Sequence, residues 1–481
     1  MNIKIIIRVL GFLLLVEGIA MLLALGVSLI YGEHDIRAFF SSAGINIIIG
    51  GIIVIFTQKA IKDIGKREGF IIVSLVWIVF SLFGSLPYIL SGAIPNFTNA
   101  FFETISGFTT TGSSILNDIE ALPHGILFWR SITQWLGGMG IIVLSLAILP
   151  VFGIGGMQLF MAEVPGPTPD KINPRIRQTA KTLWVIYLGF TVAEMLLLWA
   201  GGMSLFDSVC HSFTTMATGG FSTKQASIAH WSSPFIQYVI VIFMFFAGTN
   251  FTLSYIAIKG KFKSVLKDEE FKYYGLFVIG FTLIIFIGLL ITSSMGVEQS
   301  FRDSLFQVVS IITTTGYATS DYLQWAPILT ILIFGLFFFG GSAGSTGGGI
   351  KIMRIVLLIK NSYYELRRMI HPHAIIPVKF NKHSVDSKII TNVLAFFMLY
   401  FIIFAFSTVI FTLIEPDLAS SMGAVATCLG NIGPGLGNVG PAENFVHVHP
   451  VGKWFLSFLM LLGRLELFTV LVLFSPTFWK E

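Results

Sequence analysis

The sequence predicts an all-α polytopic membrane protein made of four pseudo-symmetric units behind a two-helix prefix, and three observations carry that prediction. Hydrophobic residues make up 54% of the chain and charged residues 11%, where a soluble domain has about 25% charged. A spanning helix takes about 20 apolar residues. Ten segments qualify, near 5–31, 39–57, 69–92, 126–150, 182–202, 233–258, 273–295, 327–358, 389–414 and 451–476. Shorter apolar pieces lie between the third and fourth, fifth and sixth, seventh and eighth, and ninth and tenth, near 98–111, 206–218, 303–315 and 417–430. A piece of that length cannot cross, so each reads as a re-entrant helix.

The chain then divides into a prefix at 1–60 and units at 61–150, 151–260, 261–360 and 361–481. Lys4 and Arg8 precede an apolar run too long for a signal sequence, with no small-residue cleavage site, so the first segment reads as a retained helix. The re-entrant helices have good N-cap residues in Asn99, Asp207, Asp303 and Ser420-Ser421. Glycine interrupts the last helix of every unit, at Gly137–Gly140, Gly248–Asn250, Gly340–Gly349 and Gly463-Arg464. Lys and Arg cluster in the loops near 59–67, 171–181, 259–272 and 360–388, against only Arg37, Arg130, Lys224, Arg302 and Lys453 on the other side. That bias places both termini in the cytoplasm and the basic loops beside anionic lipid. Cys210 and Cys428 fall in re-entrant pieces, which argues against a disulfide framework or a metal site.

Each re-entrant piece closes on a related motif: Thr110-Thr111-Gly112, Ala217-Thr218-Gly219, Thr313-Thr314-Thr315-Gly316-Tyr317 and, more loosely, Asn431-Ile432-Gly433-Pro434-Gly435. Irregular backbone at membrane depth must be buried in protein or line a water-filled path. Four such stretches on one axis would make a ring of carbonyl oxygens around one central pore, able to replace the water shell of a cation. Glycine permits the backbone angles this needs, and the threonine beside each of the first three would add a hydroxyl facing the path. Only Thr314 to Tyr317 approaches the Thr-Val-Gly-Tyr-Gly signature of potassium channels, without its last glycine. Fewer well-formed ion sites are expected than in a channel of identical subunits.

The stretch from Gly340 to Gly349 holds six glycines in ten residues, Gly340, Gly341, Gly344, Gly347, Gly348 and Gly349. Each costs about 1 kcal/mol relative to alanine in a helix, so the eighth segment should break around a loop near mid-membrane, below the filter. Arg464 lies in the matching break of the fourth unit, with Glu466 two residues on. Residues so spaced on a helix face different ways, and an intramembrane charge needs a cavity or a partner. Arg464 is therefore expected to hold the loop by its carbonyls and to add a charge that repels cations, making the loop a gate.

Two other classes are weaker. A secondary transporter, coupled to protons or sodium, would also use broken helices, but usually in two inverted halves. An enzyme lacks support: Gly344 to Lys351 fails the phosphate-loop pattern, and His211, the nearest histidine candidate for a serine protease at Gly341-Ser342-Ala343, falls in a re-entrant helix on the opposite side of the membrane.

The four units, the filter glycines, and Pro165-Gly-Pro-Thr-Pro-Asp-Lys-Ile-Asn-Pro-Arg175 followed by Thr179-Ala-Lys-Thr-Leu-Trp184 resemble the Trk/Ktr/HKT superfamily of potassium uptake proteins over essentially the whole chain. The two extra helices are similar to the bacterial TrkH branch rather than the shorter KtrB branch. The resemblance implies potassium as the ion carried and the bacterial inner membrane as the location. It also implies a homodimer with one pore per subunit, a cytosolic TrkA-like nucleotide-binding regulatory subunit, and an intramembrane loop in the third unit. In that superfamily glycine at the first filter goes with potassium and serine with sodium, so Gly112 implies potassium. Asn431-Ile432 departs from the pattern, which sets the fourth quarter apart.

Overall fold

The computed structural model describes residues 1–58, 65–140, 176–374 and 376–480. Helices account for its framework; the exception is a hairpin of two-residue strands, Lys379–Phe380 with His383–Ser384. The prefix is the helix pair Ile3–Tyr31 and Ile36–Phe56, packed on itself and on unit 1. Each unit then runs outer helix, re-entrant helix, loop and inner helix. The outer helices begin with Lys66–Gly84, Ile176–Ala200, Glu269–Thr292 and Ser387–Phe411, and the re-entrant ones are Phe97–Phe108, Leu205–Met216, Val297–Ile312 and Leu418–Gly430.

The inner helices start His124–Gly138, Pro234–Ala247, Pro327–Leu336 and Pro450–Arg464. Proline sits at the first position in the last three, and Pro123 immediately precedes the first. Its fixed φ suits a helix start and its missing N–H costs nothing there. The second inner helix breaks at Gly248–Asn250 and the third at its glycines, whereas the fourth runs through Gly463 and breaks at Leu465–Leu467, where Glu466 and Leu467 take positive φ, and the first is described only as far as Gly140. The second continues as Phe251–Ile258 after a bend of 108°, and the fourth as Phe468–Phe474 after a bend of 110°. The third gives way to a loop before Ile352–Ile370.

Six helices are long and apolar enough to cross a membrane, or eight with each bent pair taken as one span, among the described residues. The expected ten differ by two. Segment 126–150 is described only to Gly140, and segment 327–358 is not one helix. The 165–175 stretch and the expected boundaries near 60 and 150 lie outside the described residues, and the expected boundary at 360 falls inside helix Ile352–Ile370.

The N-caps also move. Asn96, Ser204 and Asp417 accept from the backbone N–H of Asn99, Asp207 and Ser420, one turn earlier than expected, and the third re-entrant helix starts after Gly296 without a side-chain cap. Asp207 and Asp303, now inside their helices, hold the outgoing strands: Thr223 Oγ1 donates to Asp207 at 2.6 Å and Thr319 Oγ1 to Asp303 at 3.0 Å.

The outer helices present apolar stripes such as Ile279, Leu283, Ile287 and Ile291 at four-residue spacing, as a bilayer-facing surface requires. Two large apolar clusters fill the interior, one joining the prefix to units 1 and 4, the other joining units 2 and 3. Two of the basic residues counted on the outer side are buried. Arg130 is 1% exposed and Lys453 3%. Lys453 Nζ donates to Asn99 Oδ1 and Val446 O.

Candidate functional site

The four loops meet in one repeated conformation. Immediately after the cap of each of the first three re-entrant helices, and at the cap of the fourth, stands a non-glycine residue with left-handed φ: Thr110 at 54°, Thr218 at 53°, Thr314 at 58° and Asn431 at 54°. Few side chains tolerate that region, and its strain is held by the surrounding structure. The next residue in each unit returns its N–H to the helix, Thr111 to Ser106 O, Gly219 to Thr214 O, Thr315 to Ser310 O and Ile432 to Thr427 O, at 2.8–3.0 Å. A left-handed glycine follows: Gly112, Gly220, Gly316 and Gly433.

This corrects the second motif by one residue. Its equivalent triplet is Thr218-Gly219-Gly220, and Ala217 stands where Thr109 and Thr313 do. Gly219 and Gly220 are identical in sequence, and only backbone angles tell them apart.

The glycines close a ring. A methyl carbon built on Gly112 would lie 2.2 Å from Gly219 O, on Gly220 2.0 Å from Thr315 O, on Gly316 1.8 Å from Ile432 O, and on Gly433 3.0 Å from Thr111 O. Each oxygen belongs to the residue before the glycine of the next unit, so the contacts run from unit 1 through 2, 3 and 4 back to 1. The ring is too tight for side chains.

The threonine hydroxyls have partners. Thr111 Oγ1 and Thr315 Oγ1 each lie 2.8 Å from the hydroxyl of Thr109 and Thr313, and Asn431 Nδ2 also donates to Thr111 Oγ1 at 2.9 Å. Thr218 Oγ1 donates to Ala217 O at 2.6 Å, so all three hydroxyls are also held by the protein.

A second layer braces the ring, and no sequence motif marks it. Arg130 Nε donates to Glu103 Oε1 at 2.9 Å in a pair with both side chains buried, and Nη1 to Ser222 O of the next unit at 3.0 Å. Gln134 Nε2 donates to Gly219 O at 2.7 Å and Oε1 accepts from Phe221 N at 3.0 Å. Tyr317 Oη meets Thr214 Oγ1 across the seam between units 3 and 2. Pro123, Pro234, Pro327 and Pro450 were the available repeat marker that could have fixed the frame.

The glycine-rich loop lies against these same residues. Gly348 N donates to Thr314 Oγ1 at 2.7 Å, Thr346 Oγ1 to Met216 O at 3.0 Å, and Ser342 N to Gly248 O at 2.8 Å. A methyl on Gly348 would meet Gly430 O at 2.7 Å, so close approach requires glycine there. Glu270 Oε1 accepts from Ala343 N at 2.7 Å, and Lys351 Nζ reaches Gly347 O. Arg464 joins loop to ring: Nη1 donates to Thr346 O at 2.8 Å and Thr110 Oγ1 at 3.1 Å, and Nη2 to Gly137 O at 2.5 Å and Gly138 O at 3.1 Å. Glu466 pairs with Arg354, on the helix that follows the loop.

Two cavities flank this assembly. One of about 90 Å³ is lined by Gly112, Gly220, Gly316 and Gly433. The other, of about 700 Å³, is lined by loop residues 343–349 together with Arg464, Glu270 and Asp268. No group of three or more His, Cys, Asp or Glu able to hold a metal occurs among the described residues.

The model of a family described as TrkH, cation transport protein, matches residues 35–481. The chain belongs to the TrkH family. It is 43% identical to the Trk system potassium uptake protein TrkH of Escherichia coli strain K12 over 494 residues, covering 100% of both chains. It is 34% identical to the TrkG protein of the same strain, covering 100% of this chain and 99% of that one. The crystal structure of the potassium transporter TrkH from Vibrio parahaemolyticus superposes with a TM-score of 0.90 at 38% identity, with full coverage of both chains. Membership in this family of cation transport proteins makes the chain a transport protein and not an enzyme.

Proposed function

We propose that this TrkH-family chain takes up potassium across the bacterial inner membrane through one pore per chain, with the four-loop ring as its selectivity filter. The observation that carries this reading is the closed sequence of contacts between four left-handed glycines and four carbonyl oxygens. Such oxygens exchange with the water shell of a monovalent cation without trapping it by full charge. The names of the full-length relatives support potassium as that cation.

The filter is Thr110-Thr111-Gly112, Thr218-Gly219-Gly220, Thr314-Thr315-Gly316 and Asn431-Ile432-Gly433. The gate is the loop at Gly340–Lys351, pinned by Arg464, whose guanidinium binds both loop and filter base. A fixed positive charge there opposes cation passage until the loop moves. The working assembly is a homodimer, with both termini cytoplasmic and a cytosolic TrkA-like nucleotide-binding subunit on the basic loops.

Radiolabelled rubidium uptake into proteoliposomes tests this. Uptake that potassium competes away and sodium does not is the expected result; no uptake by inserted protein overturns the reading. A second reading, proton-coupled transport, has one observation behind it. Glu194, on the outer helix of unit 2, is 0% exposed, with the Thr215 hydroxyl facing its carboxylate. Such a group in the membrane is a natural proton site. Repeating the uptake with an imposed proton gradient and no potassium gradient decides it: accumulation means coupling.

A further inference from the structure

Gln134 stands one helical turn after Arg130 on the inner helix of unit 1, so both side chains leave the same face. That face meets the filter strand of unit 2. Arg130 Nη1 donates to Ser222 O at 3.0 Å, its Cζ lies 4.2 Å from the centre of the Phe221 ring, and its charge is matched by Glu103. Gln134, 0% exposed, makes two bonds to the peptides just before: Nε2 to Gly219 O at 2.7 Å and Oε1 from Phe221 N at 3.0 Å. A methyl carbon on Gly219 would lie 2.3 Å from Gln134 Cδ, which is why this position is glycine although its φ is not left-handed. The oxygen Gln134 holds is the one seated against Gly112.

We propose that Gln134 is a specificity-determining positioning residue, fixing from unit 1 the ring oxygen that unit 2 contributes to the filter. A primary amide donates and accepts in one plane, so it sets the orientation of the 219–221 backbone as well as its place. A carbonyl oxygen has two lone pairs. Gln134 takes one and leaves the other for a cation. Discrimination between potassium and sodium depends on the number and field of such carbonyl dipoles, so turning one of four away falls on selectivity before it falls on passage. The proposal rests on the filter reading above, and the controls must separate the two.

The experiment compares rubidium and sodium uptake by Gln134→Leu, Gln134→Glu and Gln134→Asn in proteoliposomes, each checked for monodisperse folded protein. Leucine removes both bonds, glutamate keeps the acceptor for Phe221 and donates to Gly219 O only while protonated, and asparagine keeps both groups on a shorter stem. The rubidium-to-sodium ratio should fall about fivefold or more in the leucine variant, the factor that losing one buried hydrogen bond to a carbonyl brings, and less in the glutamate and asparagine variants. A parental ratio in the folded leucine variant overturns the proposal. So does failure of all three to fold, because the amide would then serve the fold and not discrimination. Gly112→Ser is the control. If it too leaves the ratio unchanged, the filter reading itself has failed.

Discussion

Gly112 is held to glycine by contact as well as by conformation. Its φ of 83° is costly for any side chain, and a Cβ would lie 2.2 Å from Gly219 O. Serine at this position must therefore displace a carbonyl oxygen that the proposed filter uses. Gly112→Ser should lower the potassium-to-sodium permeability ratio by about tenfold, which corresponds to ~1.4 kcal/mol of lost discrimination. Gly220→Ala should do the same, since its methyl would meet Thr315 O at 2.0 Å. Reversal potentials that give the parental ratio in both variants would exclude the ring as the filter.

Among the elements, the broken inner helix of unit 3 differs from the others. Its loop reaches every quarter of the site through Thr314, Met216, Gly430 and, by way of Arg464, Thr110. Arg464 makes hydrogen bonds to Thr346 O, Gly137 O and Gly138 O, and these restrain the loop. Arg464→Ala removes the restraint and the charge together. Potassium flux should rise several-fold, an ordinary consequence of losing ~1 kcal/mol or more of loop restraint, while the rubidium-to-sodium ratio moves less than in Gly112→Ser, because Arg464 meets the filter at the Thr110 hydroxyl and not at a ring carbonyl. Deleting glycines from the loop should act in the same direction. Folded variants that conduct no faster than the parent would show that the loop is not the barrier.

At the scale of the molecule, the basic loop between units 2 and 3 is the open surface proposed for a regulatory subunit. Lys261, Lys263 and Lys267 are exposed, with Phe262 and Leu266 exposed between them, each 62%. Neutralising the three lysines to glutamine should reduce co-purification of a cytosolic nucleotide-binding subunit by about tenfold, while potassium selectivity is kept. Undiminished recovery of the subunit would leave these lysines to topology and anionic lipid.

How much of this was legible in the sequence follows from the range of the forces involved. Hydropathy over 20 residues and glycine spacing are local, and they determined the class, the unit repeat, the re-entrant helices, the loop of unit 3 and the partnership of that loop with Arg464. Capping was legible in kind but not in position, because Asn96 and Asn99, or Asp417 and Ser420, are equally good caps and only the helix axis decides. Tertiary structure alone decided that Gly220 and not Gly219 carries the left-handed angle, since that choice is made by Thr315 on one side and Gln134 on the other. It alone placed Arg130 inside, where Glu103, 27 residues away, offsets the cost of burying its charge. A sequence records which residues can adopt a conformation, whereas a carbonyl ring is made by four segments meeting, and the selection among permitted angles is made by contacts 85 or more residues apart.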